Sequence, residues 1–413
     1  MISNKLTLLF IAQKLNLDPE KAKEAWAKYW DESIDYKPFA GKILPDISFF
    51  ENVCNLLSFP MPLSRIITNA YKALGRKPYL VRLFQNCHYL LFKKKVDREE
   101  VIKWPVFNDH YSQEKSLFYL FVYLAGVPQV FRINRNLNIS DEITVATIKD
   151  IELWIKKDNK TGNWYFSNLG WLWFHFQNRL FSLGRLQFCI DTYNFNFIGI
   201  KNHKNNFHLI APGNEIIRKK DGQFNGTSAI YDSDVFTTKL LITKNYIKGH
   251  VVSKNGVINH RANTFILGKN NWKIILRKGD KAISVHIPAT GKLTEESVKN
   301  SFFSANQFFK RHFPEFKFNV FFSVSWLFDN NLPAILPPDS NIVKFQKIFY
   351  LFPIPGASDS QMWERVFDKK PANLNKAAQN TSLQKAIIRH VKNGGHFHIQ
   401  GGILLHKSIK NIL

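Results

Sequence analysis

An α+β protein is predicted, with a helical N-terminal domain over 1–178 and a β-rich, mixed α/β C-terminal domain over 179–413. Three observations carry this. Before about residue 178 the apolar residues recur at helical spacing. Around Leu183-Gly184-Arg185-Leu186-Gln187-Phe188 the period turns toward two. From Trp272 to Tyr350 the pattern is strand, tight loop, helix, strand, helix, strand.

In the first part, Leu17-Asp18-Pro19 separates the first two helices, and Pro60, Pro62 and Pro78 divide those that follow. The longest apolar run, Leu117 to Val127, stops at Pro128. It is too short for a hydrocarbon layer of ~30 Å and is predicted to be a buried core helix. Ser140-Asp141-Glu142 caps a helix whose Ile143, Ala146, Ile151, Trp154 and Ile155 form one stripe, closed by Lys156 and Lys157. The turn Asn159-Lys160-Thr161-Gly162 ends it, and an aromatic core segment, Trp164 to Phe176, follows.

The second part begins with strand-like runs at 186–199, 206–210, 215–218, 228–231, 239–242, 246–252, 256–259 and 263–267, set apart by turn residues such as Pro212-Gly213 and Asn255-Gly256. These predict mostly antiparallel strands. Lys281 to Ile287 then alternates as a strand and breaks at Pro288-Ala289-Thr290-Gly291-Lys292. Thr294 caps the next helix, which carries Val298, Phe302, Ala305 and Phe309 on one face and runs to about His312. A strand from Phe318 to Leu327, the polar loop Asp329-Asn330-Asn331, helical pieces around Pro337-Pro338 and Ser340, and a strand from Ile348 to Ile354 come next. Thr381-Ser382-Leu383-Gln384 is a capping box whose helix ends at Asn393-Gly394-Gly395, and His396 to Gln400 is predicted as the last strand.

Composition narrows the function classes. The net charge of +25 comes from 57 basic against 32 acidic residues. It suits a nucleic-acid surface, a pocket for an acidic cofactor, or a plain usage bias toward Lys, Asn, Ile and Phe. The basic residues are scattered, and short runs such as Lys93-Lys94-Lys95 fit solvated faces, which argues against nucleic acid. Cys54, Cys87 and Cys189 are odd in number and far apart, so neither a disulfide framework nor a structural zinc site is expected. A cytoplasmic location fits that cysteine usage, and no export signal or membrane span is predicted. No P-loop, full dinucleotide fingerprint or G-x-S-x-G elbow occurs, so NTPase, dehydrogenase and hydrolase readings fall away.

Several phrases together resemble a two-domain bacterial acyltransferase family with a helical N-acyltransferase N-terminal domain and a GNAT-like C-terminal domain. They are Gly170-Trp171-Leu172, Leu183 to Phe188, Gly279-Asp280, His286-Ile287-Pro288-Ala289, Phe313-Pro314-Glu315, Ser325-Trp326-Leu327, Ser340-Asn341-Ile342 and Thr381 to Gln384. The resemblance implies an acetyl-CoA or other acyl-CoA cosubstrate, no metal, and an amine-bearing acceptor. It also implies that the strand at 281–287 splays from the strand at 318–327, with the thioester in the gap and the pyrophosphate in the loop 288–293. Ile287, Thr290, Gly291, Lys292 and Thr294 are the cofactor-binding residues on that basis. The sequence departs from the family's pattern in keeping only one glycine, Gly291, in the loop, and in lacking a tyrosine near the start of the helix after the strand at 318–327, which carries Asn331, Ala334 and then Pro337.

The chemistry requires a proton to be taken from an ammonium group and an oxyanion and a leaving thiolate to be stabilised. His286, at the end of its strand, is the candidate base because imidazole titrates near neutrality; otherwise it is a partly buried histidine that shapes the loop. Ser325 either donates to the thiolate or satisfies a neighbouring backbone group. Thr294 and Lys292 either touch phosphate or serve as helix cap and solvated cation. Arg185 and Gln187 are expected to fix the junction between domains. His396 and His398 have a spacing that metals use, yet no third ligand accompanies them, and a structural role is expected. The rival function is a non-catalytic ligand- or partner-binding protein that keeps the GNAT-like fold.

Overall fold

Side chains cap helices at Ser140, Thr294 and Thr381, where the sequence places caps, and at Asp18 between the first two helices. Asp18, Ser140 and Thr294 accept from the N–H groups of Glu20 (2.9 Å), Ile143 (3.4 Å) and Ser297 (3.2 Å). Thr381 and Gln384 form a reciprocal capping box. Each such cap is worth about 1 kcal/mol. The structure is a computed structural model and describes residues 6–107, 112–158, 160–205, 208–259, 264–406 and 409. Asn159 and the first residues of the predicted strands at 206–210 and 263–267 lie outside them.

The chain divides into two compact units, Met1–Ser182 and Leu183–Leu413. In the first, Phe118–Ala125 is a helix with all eight residues buried, within a core that includes Trp26, Phe50, Tyr71 and Phe84. No helix among the described residues is long and apolar enough to cross a membrane. The helix after Ser140 departs from expectation. It runs only from Asp141 to Ile148 and tightens into a 3₁₀ stretch, Lys149–Trp154, before the strand Ile155–Lys157 pairs with Trp164–Phe166. Its buried residues are Thr144, Thr147 and Ile148 rather than Ile143 and Ala146. Both threonines return their hydroxyls to the carbonyls four residues back, at 3.0 and 2.7 Å, which lets a polar side chain enter the core satisfied. A stripe drawn from apolar residues alone misses such positions.

In the second unit the main sheet contains β1 (Leu186–Thr192), β2 (Lys281–His286), β3 (Val320–Ser325), β4 (Tyr350–Pro353) and β5 (Gln400–Leu405), in the order β4-β5-β3-β2-β1. Only β2 and β3 are parallel; the other neighbours are antiparallel. Helix α1 (Glu295–His312) lies on one face, its Phe302 ring 5.6 Å from Phe188 on β1 and 5.4 Å from Phe321 on β3. Truncating a fully buried phenylalanine of this kind costs about 3–5 kcal/mol. The other face carries Ala282, Phe322, Phe352 and Ile403, in one cluster with Ile216, Val252 and Ile258 from the preceding β segment. Helices α2 (Asn341–Lys347) and α3 (Ser382–Lys392) complete the parts needed below.

Several boundaries shift. The run 186–199 is two strands, β1 and Phe197–Asn202, with the chain turning between them. Residues 227–229 form a 3₁₀ turn rather than a strand. The strand expected over Phe318–Leu327 is shorter, because Trp326–Phe328 curls into a 3₁₀ turn. Gln400 opens the last strand instead of closing it, so His396 and His398 precede β5. All three cysteines are buried.

Candidate active site

The central feature is a short ladder. Strands β2 and β3 pair only at Ile283↔Phe321 and Ser284↔Phe322. Beyond that point β2 stays registered with β1 as far as His286↔Gln187, and β3 stays with β5 as far as Ser325↔Gln400. Each strand keeps its outer neighbour while the inner edges separate, which turns backbone donors and acceptors into the gap. At its open end Ile287 and Leu293 pack in one apolar cluster with Trp326, Leu327 and Met362. Backbone N–H and C=O groups along such a gap, next to apolar side chains, can hold an amide-rich, flexible chain, and the N–H groups can stabilise a developing oxyanion.

His286 is partly exposed at the end of β2, with its Nε2 3.1 Å from the Ser284 hydroxyl. Alternation along the strand puts both on the face of Ala282. Ser325 is buried at the end of β3, and its hydroxyl accepts from the Leu327 N–H at 3.1 Å. It therefore caps the 3₁₀ turn, and an accepting hydroxyl still has a proton to give. The structure brings His286, Ile287 and Ser325 to the same, diverging end of the two parallel strands.

The loop after β2 needs its single glycine. Gly291 has φ of +64°, the left-handed region that L side chains rarely adopt. Arg185 fixes the loop through bonds from its guanidinium to the carbonyls of Gly291 (3.2 Å) and Lys292 (3.3 Å), while its own N–H donates to Ser301 at 2.8 Å. Burial lowers the Arg185 pKa. Arg185 thus anchors this loop, whereas a domain junction was expected of it. Thr290, Gly291 and Lys292 are exposed, and Thr294 is engaged as the cap of α1. Beside this helix start, a groove of about 320 Å³ between α1 and α2 is lined by Lys299, Lys344 and Lys347, with Glu295 3.4 Å from Lys299 and 3.7 Å from Lys344. Three lysines against one carboxylate leave the groove electropositive.

A second polar constellation has little sequence signal. Asp329, beyond β3, and His398, before β5, are buried together, with Asp329 Oδ2 3.5 Å from His398 Nδ1 and 2.6 Å from the His398 N–H. Gln400 Nε2 lies 3.2 Å from His398 Nε2 and 3.3 Å from the Gly256 carbonyl. Both amide hydrogens are used if His398 carries its proton on Nδ1, toward Asp329. Desolvation raises the Asp329 pKa and lowers that of His398, so burial favours the neutral form of each. Only the polar run at 329–331 and the His-x-His phrase hinted at this pair. Among the described residues no group of His, Cys, Asp and Glu is arranged to hold a metal.

Comparison with known proteins agrees with this geometry. Residues 48–178 match the N-acyltransferase N-terminal domain and residues 180–404 the GNAT-like C-terminal domain. The chain is similar in fold to an acyltransferase solved with decanoyl-CoA and teicoplanin (TM-score 0.66, 23% identity, 96% of this chain and 98% of that one). It is also similar to a mutant acyltransferase solved with octanoyl-CoA (TM-score 0.65, 22% identity, again 96% and 98%). No curated protein matches. With the domain match over more than half its length and the split parallel pair at its centre, the chain belongs to the family that joins an N-acyltransferase N-terminal domain to a GNAT-like C-terminal domain.

Proposed function

We propose that the chain transfers an acyl group from acyl-CoA to an amine acceptor at the split between β2 and β3. The observation that carries this is the two-rung ladder with His286 and Ser325 at its open end. The pantetheine arm enters between the strands, with its diphosphate near Ile287, Thr290, Gly291, Lys292 and Thr294 and the lysines of the α1–α2 groove. His286, oriented by Ser284, takes a proton from the acceptor's ammonium, and the free amine then attacks the thioester carbon. The Ser325 hydroxyl donates to the departing thiolate, and strand N–H groups stabilise the oxyanion.

An acetyl group is the smallest donor the cleft would take. The apolar end formed by Ile287, Leu293, Trp326 and Leu327 favours a longer chain, in keeping with the octanoyl- and decanoyl-CoA bound by the two similar structures. One observation favours the rival reading of binding without turnover: Glu295 sits among the groove lysines, where it opposes a diphosphate. Titration with acetyl-, octanoyl- and decanoyl-CoA separates the readings. Donor at a hundred times its Kd stabilises the protein by about 2.7 kcal/mol, and turnover with a primary amine releases free thiol. Stabilisation without thiol release for any tested amine favours the rival; no stabilisation by any donor overturns both uses of the cleft.

A further inference from the structure

His398 borders a chamber of about 200 Å³, lined also by Lys219, Thr227, Asn330 and Asn331, while its partner Asp329 is fully buried. The chamber walls are unusual in burying polar groups and leaving some of them unused. Lys219 is 5% exposed and Thr227 2% exposed. The Lys219 ammonium pairs with Asp221 at the rim, and Asn331 donates to the His396 carbonyl. The Thr227 hydroxyl and the Asn330 Oδ1 are buried without a hydrogen-bond partner. Each unmade bond of this kind costs stability that a ligand's hydrogen bonds would recover.

The unused groups define the ligand. A carboxylate would suit Lys219 and Thr227 but would face Asn330 Oδ1 and the Asp221 carboxyl. An ammonium would suit those oxygens but would face Lys219. A hydroxyl both donates and accepts and meets neither conflict. The volume lies below the ~300–1,000 Å³ of a drug-sized pocket, so it holds one small group of a larger molecule.

The position ties the chamber to the cleft. His398 leads into β5 at the end where Gln400 faces Ser325, the same sheet edge as His286. His286 lies on the Ala282 face, against which the segment containing Ile216 packs, and that segment continues to Lys219 and Thr227. Two strand spacings separate β5 from β2, about 10 Å. We propose that the chamber binds an uncharged, hydroxyl-rich group, a polyol or sugar ring, carried by the acceptor about 10 Å from its reacting amine. This rests on the acyl-transfer reading given above.

The test uses the full chain with methyl glucoside, sodium acetate and methylammonium as probes, each followed by ligand-observed NMR. Methyl glucoside is expected to bind, and Thr227→Val and Asn330→Ala each to weaken it by about tenfold, the worth of one hydrogen bond. Decanoyl-CoA binding, measured separately, stays unchanged in both variants. In turnover, KM for a 6-aminohexyl glucoside rises by a similar factor in Thr227→Val, while KM for hexylamine does not move. No glucoside binding, stronger binding of either ion, or equal binding by both variants overturns the proposal. Failure of decanoyl-CoA to bind the wild-type chain strikes the acyl-transfer reading instead, and the glucoside result still decides the chamber.

Discussion

Each unit buries an aspartate beside a histidine, and the two pairs behave in opposite ways. In the first, Asp150 Oδ2 lies 3.3 Å from His175 Nε2 and accepts from the indole N–H groups of Trp154 (3.1 Å) and Trp171 (3.0 Å). Desolvation pushes the Asp150 pKa up, but His175 and the two indoles outweigh it and hold the value down at about 2. In the second, Asp329 takes backbone N–H groups from Asn331 and His398, and desolvation prevails, raising its pKa. The difference lies in depth of burial and in the histidine: Asp329 is 0% exposed against 9% for Asp150, and only Asp150 gains a hydrogen bond from its histidine side chain. A carboxylate saturated by donors holds helices and turns together. A more deeply buried one beside unpartnered polar groups marks a place where the protein has capacity to spare for a ligand.

The largest expected effect breaks the saturated pair. Asp150→Ala leaves His175 and two indoles without their acceptor and should cost about 3–5 kcal/mol, read from denaturant midpoints. A loss below about 1 kcal/mol would show that the indole bonds contribute little.

At the cleft, His286→Ala should lower acyl transfer roughly a hundredfold with little change in donor affinity. A loss under about tenfold would remove His286 as the base. The pH dependence sharpens the contrast between the aspartates. Because the folded Asp150 pKa lies below its ordinary 3.8, its contribution is present above that value and is lost as pH falls through about 2. It amounts to roughly 2 kcal/mol. Asp329 has the opposite sign: its raised pKa means that ionisation of the folded state costs stability as pH rises. Difference titrations of Asp150→Asn against wild type should therefore show an acid-side loss in the wild type alone.

A smaller effect is expected at the loop. Gly291→Ala forces a side chain into the left-handed region and should cost about 1–2 kcal/mol locally and weaken donor binding. Unchanged affinity would detach the loop from the diphosphate. Smallest of all, Thr227→Val removes a buried hydroxyl that has no partner, so folding stability should stay the same or rise by up to about 1 kcal/mol. A loss like that of Asp150→Ala would mean that the chamber is as structural as the first pair.

Much of this frame was legible in the sequence because it is encoded locally. Caps at Ser140, Thr294 and Thr381 and the alternation of β2 are each set by a few adjacent residues. The end of the helix after Ser140 was misread because buried threonines look polar in a sequence and become apolar surface once their hydroxyls bond the backbone. The two-rung ladder depends on which outer neighbour each strand keeps, a non-local choice. The chamber gathers Lys219, Thr227, Asn330 and His398 from distant stretches of chain, so neither spacing nor periodicity could expose it.

The most direct test is a crystal structure of the full chain with decanoyl-CoA. The account predicts the pantetheine between residues 285–287 and 323–325, with its thioester beside His286. A donor bound elsewhere, or β2 and β3 hydrogen-bonded beyond Ser284↔Phe322 with the donor excluded, would contradict it.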